Sequence, residues 1–300
     1  MFPMRGVIVF FWSICSVAFM NAQELVGIEQ IFVEEFYHVT KADAAIPTKT
    51  GEIAEGAVTY RLYLDLLPGY RFQVAYGTPQ HPIFIRSSAP FFNHIEVGNS
   101  NPNMIPERTY SKNIALLDTW LSIGAAGENH LGVPLSLDTT QDWLAMEWNN
   151  EFIQGELGQK WSIKERDGMV RVEKMNFPTF YNMDEQKKLI HADNRTSEIV
   201  VDNGAWAALG RGTVGADSLN TNMILLGQFT AAGELEYGLN IMIRTPEGKS
   251  IRYVYEHPGE GELVLPFLKG GVNYYQPITK AERKRLKKKR NKKESNSKGL

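Results

Sequence analysis

Apolar and polar residues alternate along much of the chain. The alternation is clearest over Val58–Leu66 and resumes over Tyr70–Tyr76, after the turn-forming pair Pro68-Gly69. Such a pattern predicts two antiparallel strands joined in a hairpin. A second hairpin is predicted between Leu235–Ile243 and Ile251–Tyr255, which are separated by another turn-rich segment.

Other segments extend the predicted β structure. Strands are expected at Ile31–Tyr37, Pro82–Arg86, Ile114–Ile123, Met169–Lys174, Met223–Thr230 and Leu263–Phe267. Ala115–Ile123 and Met223–Phe229 are apolar on both faces, which is typical of central strands. One short helix is predicted over Asp138–Trp148, where Asp138 and Gln141 form a capping-box pattern. The sequence therefore predicts an all-β fold, an antiparallel β-sandwich with one short helical excursion.

The first 22 residues have the pattern of an export signal. Arg5 precedes the 14-residue apolar run Val7–Met20, and cleavage after Ala22 would leave Gln23 as the first residue. This run is short for a bilayer core of ~30 Å, so we expect no transmembrane segment after processing. We expect an exported protein, located in the periplasm, on the outer surface or in the medium. The only cysteine, Cys15, would be removed, which excludes disulfides and cysteine chemistry.

The C-terminal end differs sharply in charge from the rest. Lys280–Leu300 contains eleven lysine or arginine residues against two glutamates, a net charge of +9. Residues 23–279 contain 20 basic and 32 acidic residues, a net charge of −12. The basic segment has too little apolar surface to fold alone and is expected to be disordered. The predicted organisation is a signal peptide (1–22), a β-sandwich domain (23–279) and a disordered basic tail (280–300).

The tail is the first candidate binding element. We expect contacts with lipopolysaccharide, acidic glycan, anionic lipid or extracellular nucleic acid. A solvated tail with no partner fits the same composition. The candidate contact residues are Lys280, Arg283, Lys284, Arg285, Lys287, Lys288, Lys289, Arg290, Lys292 and Lys293.

Common catalytic motifs are missing from the sequence. It has no G-x-S-x-G, H-E-x-x-H or P-loop pattern and its six histidines are scattered, so no catalytic, metal or cofactor residues are assigned and no cofactor is expected. Trp143 and Trp148 are candidates for stacking on glycans, although core packing is the favoured interpretation. Ser218 and Thr139 lie in short patterns that resemble bacterial O-glycosylation acceptors, although each pattern is also typical of an ordinary turn.

Several segments together resemble a known type of module. These segments are Gly56–Gly77, Pro90–Asn93, Leu116–Gly132, Asn203–Leu209 and Leu225–Ile243. In this order they resemble an uncharacterised secreted β-rich module found in large surface proteins of gliding-type bacteria. The resemblance implies export and a repeatedly used β module, but no activity. The loop His94–Gly98 departs from the acidic loop of that pattern, so cation binding is not expected there.

These observations predict a non-enzymatic binding or scaffolding protein of the bacterial cell envelope, with a polycationic tail. Two alternatives remain open at this point. One is a secreted hydrolase that acts on glycans through paired carboxylates, which can be distant in sequence. The other is a purely structural module, of which the tail only aids solubility.

Overall fold

The computed structural model describes residues 27–45, 52–110, 114–138, 167–173, 175–191 and 195–272. Within these ranges the chain forms seventeen strands. In chain order they are β1 (Ile28–His38), β2 (Val58–Leu66), β3 (Arg71–Gly77), β4 (Ile83–Ser87), β5 (Trp120–Leu121), β6 (Ala125–Gly127), β7 (His130–Gly132), β8 (Met169–Arg171), β9 (Thr179–Tyr181), β10 (Glu198–Val201), β11 (Gly204–Ala207), β12 (Asn222–Ala231), β13 (Leu235–Gly238), β14 (Ile241–Arg244), β15 (Ser250–Val254), β16 (Glu262–Val264) and β17 (Lys269–Gly271).

Helical structure in the described residues is short. Helix α1 spans Lys41–Ala44 and helix α2 spans Asp184–Leu189. Helix α1 begins at a capping box, in which the backbone N–H of Asp43 donates to Thr40 and the Asp43 carboxylate accepts from the N–H of Thr40. Single 3₁₀ turns occur at Pro102–Met104, Glu107–Thr109, Ile114–Leu117, Leu135–Leu137 and Pro266–Leu268.

The strands form four sheets. The central sheet has the order β1-β2-β12-β5, and the six-stranded sheet has the order β16-β15-β14-β3-β11-β9. A second four-stranded sheet has the order β10-β4-β13-β17, and a three-stranded sheet has the order β6-β7-β8. Every pairing is antiparallel except that between β15 and β16. The prediction of an all-β, antiparallel fold is therefore confirmed.

Two hydrophobic cores are built on the two faces of the central sheet. The first contains Leu62 and Leu64 of β2, together with Trp206 of the six-stranded sheet and Tyr237 of the second four-stranded sheet. The second contains Tyr63, together with other buried residues such as Phe32, Ile114 and Met169. Both faces of β2 are consequently buried, so this strand lies inside the molecule.

The first predicted hairpin is wrong in its pairing. β2 pairs with β1 and β12 in the central sheet, whereas β3 pairs with β14 and β11 in the six-stranded sheet. Both edges of β2 are occupied by other strands, so β3 cannot pair with it. The chain instead crosses between sheets at Leu67–Tyr70, where Gly69 has a φ of 86° that favours glycine.

The second predicted hairpin is correct in one half. β14 and β15 pair antiparallel, with Ile241 opposite Tyr253. The segment before them is not one continuous strand, because β13 belongs to a different sheet. The chain changes sheets at Asn240, whose side-chain amide donates to the carbonyls of Tyr76 (3.1 Å) and His81 (2.7 Å).

Other sequence predictions had mixed outcomes. The central position of β12 is confirmed, since it lies between β2 and β5 and is buried throughout. The strand predicted at Ile114–Ile123 is wrong over its first half, where Ile114–Leu117 forms a 3₁₀ turn. A segment that is buried on all sides is apolar whether it forms a strand or a 3₁₀ turn. The hydrophobic pattern therefore could not distinguish the two structures. The helix predicted over Asp138–Trp148 lies outside the described residues, apart from Asp138.

Candidate functional site

The most unusual feature of the described residues is a set of buried polar side chains on one face of β2. Thr59, Arg61 and Asp65 alternate with the leucines of the first core, yet all three are buried, and Arg61 is 0% exposed. The Arg61 guanidinium donates from Nε to Gln228 Oε1 (3.0 Å) and from Nη1 to the carbonyl of Gly168 (3.2 Å). Its Cζ lies 3.5 Å from the ring centroid of Phe36, a cation–π contact.

Gln228 extends this network to a neighbouring loop. Its Nε2 donates to the carbonyl oxygens of Leu116 (2.8 Å) and Asp118 (2.9 Å), while its Oε1 accepts from Arg61. Gln228 is 0% exposed, so these bonds replace those that water would supply. The arrangement fixes the 3₁₀ segment onto the central sheet.

Glu34 is the titratable neighbour of Arg61 across the β1–β2 pair. Burial raises the pKa of Glu34 to about 7, although the Arg61 charge and the N–H of Leu135 both lower it. That N–H donates to Glu34 Oε1 at 2.8 Å, whereas no described residue donates to Oε2. Glu34 therefore changes charge near neutral pH inside the protein, with Arg61 as its nearest cationic influence.

The Asp138 side chain links its own segment to the segment at Asp167 and Gly168, which is distant in sequence. Its Oδ2 accepts the backbone N–H groups of Asp167 (3.1 Å) and Gly168 (2.9 Å). The Gly168 carbonyl in turn accepts from Arg61, so Asp138 and Arg61 are joined through this glycine. A Cβ at Gly168 would lie 2.7 Å from the carbonyl oxygen of Val133, and its φ is 63°, so the position requires glycine.

A second buried carboxyl group anchors the loop that follows the Pro90–Asn93 segment. Asp118 Oδ1 accepts the N–H of His94 (2.7 Å) and Oδ2 accepts the N–H of Asn99 (2.8 Å). Burial raises the pKa of Asp118 to about 8, whereas these backbone N–H groups lower it. The Asp118 carboxyl group thus holds the two ends of this loop together through backbone contacts, so its role is structural.

Among the hollows on the surface of the described part are two of several hundred cubic ångströms. The larger, of about 620 Å³, is lined by Glu35, Tyr60, Phe84, Arg86, Glu234, Leu235, Glu236, Tyr237, Lys269, Gly270, Gly271 and Val272. Arg86 donates to Glu236 Oε2 from Nε (2.9 Å) and Nη2 (2.7 Å) at its rim. The two carboxyl groups with raised pKa, Glu34 and Asp118, do not line this hollow.

The smaller hollow, of about 450 Å³, is mainly apolar. Its walls include Ile53, Phe91 and Phe92, and the ion pair between Glu52 and Arg195 lies on its rim. Both of these phenylalanines come from the segment Pro90–Asn93 identified in the sequence. The hollow shows that this segment shapes the surface as well as the core.

Histidines are placed in different surroundings. His81 Nε2 lies 3.4 Å from Glu262 Oε2, and Tyr76 donates its hydroxyl to the other carboxylate oxygen at 2.9 Å. His94 and His130 are 0% exposed. Among the residues that the structure describes, no group of three or more His, Cys, Asp or Glu side chains could hold a metal ion.

Most sequence-predicted site residues fall outside the described ranges. This applies to all ten candidate tail contacts from Lys280 to Lys293, and to Trp143, Trp148 and Thr139. Ser218 is described and lies half-buried in the turn between Asp217 and Thr221, next to the exposed Leu219. Ser218 thus lies in a turn, and its modification stays a prediction.

Sequence reasoning missed two exposed aromatic residues. Phe177 and Tyr181 are 56% and 48% exposed, at and just before β9. The sequence gives no signal for them, because only three residues of this region form a strand, which is too few for an alternating pattern.

The described residues include no helix that is both long and apolar enough to cross a membrane. Comparisons with protein-family models, curated proteins and solved structures found no match to this chain.

Proposed function

We propose that the chain is an exported, non-enzymatic binding or scaffolding protein of the bacterial cell envelope. In this proposal Lys280–Leu300 attaches the protein to anionic polymers or surfaces. The observation that carries the proposal is the separation of charge, +9 over the last 21 residues and −12 over residues 23–279. A surface that attracts one part of the chain repels the other, so attachment is confined to the tail.

The tail has the charge density that such attachment requires. Near anionic lipid each lysine or arginine contributes ~1 kcal/mol, and this contribution falls off within a Debye length. On a phosphate polymer, neutralised charges release counterions and make binding strongly dependent on salt. Because neither mechanism needs a folded tail, the low apolar content of Lys280–Leu300 does not count against it.

The body supports a scaffolding role better than a hydrolytic one. A glycosidase of the usual type needs two carboxyl groups that face one accessible substrate site. Here the two carboxyl groups with strongly raised pKa, Glu34 and Asp118, are buried and accept backbone N–H groups. Their contacts fix loops onto the central sheet. This is the observation that favours a binding protein over the glycan-active hydrolase.

The experiment that tests the proposal compares three forms of the processed protein. These are the intact chain, a chain that lacks Lys280–Leu300, and a chain whose tail keeps its composition in scrambled order. Each is sedimented with cell-envelope fractions at low and raised salt. We expect the intact and scrambled forms to bind equally at low salt, and the truncated form to stay in solution.

Two results would contradict the proposal. Equal binding by the intact and truncated forms would place attachment in the body. Loss of binding on scrambling would mean that a specific tail sequence, rather than its charge, is recognised.

A further inference from the structure

Two arginines lie directly opposite each other on neighbouring strands of the six-stranded sheet. Arg71 of β3 is the register partner of Arg244 of β14. The adjacent residues Phe72 and Ile243 are also register partners, and both belong to the first core with 0% exposure. Because side chains alternate along a strand, both arginine side chains point to the opposite, outer face of the sheet. Directly opposite residues have Cβ atoms about 4.5–5.5 Å apart, so the two arginines are neighbours.

Two polar residues lie beside this pair. Ser250 of β15 is the register partner of Arg244 on the side away from β3. Its hydroxyl donates to Gln73 Oε1 of β3 at 2.7 Å, so the Gln73 side chain reaches across the outer face of β14. Arg71, Gln73, Arg244 and Ser250 therefore form one group of side chains, which we call the arginine cluster. The cluster contains two guanidinium groups, an amide and a hydroxyl, but no carboxylate.

The charge of the two arginines is not neutralised within the described part of the chain. Arg71 and Arg244 are half-buried, and neither forms an ion pair with a residue that the structure describes. Glu247 follows Arg244 closely in sequence, but hydrogen bonds from its own backbone N–H and from Thr245 lower its pKa, as does the charge of Lys249. Like charges at directly opposite positions destabilise a sheet. A bound anion would remove this repulsion.

The surroundings of the cluster add to its positive charge. A Cβ at Gly212 would lie 3.3 Å from Arg71 Cβ, so the loop that carries the exposed Arg211 passes against Arg71. On the other side, a Cβ at Gly248 would lie 3.1 Å from Arg244 Nη2, so this guanidinium lies beside the turn between β14 and β15. Three arginines thus lie at this end of the sheet, although residues 23–279 have a net charge of −12.

We propose that the arginine cluster binds a tetrahedral oxyanion, the sulfate or phosphate group of an anionic ligand. A guanidinium donates two parallel N–H bonds to such an anion, and its charge strengthens both. One guanidinium occupies both oxygens of a carboxylate in this geometry. A tetrahedral oxyanion has further oxygens, which accept from the second guanidinium and from the Ser250 hydroxyl. The cluster therefore fits sulfate or phosphate better than it fits a carboxylate.

This site adds a function that the tail does not supply. The cluster binds one group at a time on a body that is otherwise acidic, so it does not hold a polymer to the protein without Lys280–Leu300. Together with the tail it would select, among anionic polymers, those that carry sulfate or phosphate groups. That selection rests on the proposed attachment of the tail, whereas binding of the anion itself does not.

The stability of the full processed chain in different anions tests this inference. The urea midpoint of unfolding would be measured at constant ionic strength in chloride, acetate, sulfate or phosphate. An anion that binds only the folded protein raises the midpoint, whereas anions held by a tail that is disordered in both states leave it unchanged. General effects of sulfate and phosphate act on all variants alike, so the site is measured as the difference between wild type and variant. We expect sulfate, phosphate or both to raise the wild-type midpoint more than acetate does.

Two variants remove the charges of the site one at a time. Arg71→Gln and Arg244→Gln should each weaken oxyanion binding by about tenfold or more, the equivalent of a lost hydrogen bond from a charged group. In chloride alone each variant should have the same midpoint as the wild type or a higher one, because the repulsion is gone. An arginine with a purely structural role would lower it. The matched control Arg86→Gln, which breaks an exposed ion pair, should keep the full response to the oxyanion.

Four results would overturn the inference. They are a response to sulfate and phosphate that is equal in the wild type and in both cluster variants, a response to acetate of the same size, an equal loss of response in Arg86→Gln, and a loss of response when Lys280–Leu300 is deleted. A response to sulfate alone or to phosphate alone supports the inference and identifies the group. Attachment of the tail is measured separately by sedimentation with envelope fractions, so the two proposals can fail independently.

Discussion

The same alternating pattern has different outcomes in the central sheet and in the six-stranded sheet. On β2 the residues that alternate with the leucines include Arg61 and Asp65, and they are buried under a second core. On the six-stranded sheet the outward residues Tyr181 and Arg252 are exposed. Alternation therefore shows which residues share a face, but not whether protein or solvent lies over that face.

The two sheets also differ in how their polar groups are satisfied. Arg61 and Gln228 bond to each other and to backbone carbonyls, and both side chains are 0% exposed, so a ligand in solvent cannot reach them. The outer face of the six-stranded sheet keeps exposed rings and amides.

Removal of the buried guanidinium should have the largest effect. Arg61→Ala leaves Gln228 Oε1 without the Arg61 donor and removes the cation beside Glu34. It also removes one of the two donors to the Gly168 carbonyl, which keeps the N–H of Val133. We expect a loss of about 3–5 kcal/mol in the free energy of unfolding, as for a broken buried charge network. Urea unfolding measures it. The control is Arg86→Ala, which breaks an exposed pair and should cost no more than about 1 kcal/mol. Similar losses for both variants would contradict the account.

A pair of tyrosines sharpens the same comparison. Tyr63 is 0% exposed and its ring stacks on Phe32 with centroids 5.2 Å apart, whereas Tyr181 is about half exposed. Tyr63→Ala should therefore destabilise the protein by about 3 kcal/mol or more, as large aromatic truncations in cores do. Tyr181→Ala should change the unfolding free energy by less than about 0.5 kcal/mol. A large effect of Tyr181→Ala would mean that the outer face is covered.

Glu34 should make the stability fall as the pH rises. Its pKa is about 7 in the folded protein against 4.5 for the unfolded chain, so between these values the folded state holds a proton that the unfolded state releases. The Glu34 contribution should decline from about pH 4.5 and level off above pH 7, by about 3 kcal/mol. Asp118, whose pKa is raised to about 8, adds a decline of the same sign that continues to about pH 8, so the Glu34 part is read from the difference between wild type and variant. Unfolding free energies of wild type and Glu34→Gln across this range test it. A decline of equal size in the variant would assign it to other groups.

Much of the fold could be predicted because strands leave a local signal. β1, β2, β12 and the β14–β15 hairpin all carry alternating or continuous apolar patterns. The partners of β2 could not be predicted, because pairing depends on residues such as Asn222–Ala231 that lie far along the chain. The buried network around Arg61 left no signal, since its carbonyl partner Gly168 is 107 residues away and chosen only by folding.

The most direct test of the central claim is the salt dependence of binding to a phosphate polymer. Affinity for double-stranded DNA would be measured for the intact protein and for the form without Lys280–Leu300, from about 50 to 200 mM salt. The account predicts that the intact protein binds, that its affinity falls steeply with salt, and that the truncated form shows no measurable binding. A truncated form that binds with the same affinity and the same salt slope would contradict the account.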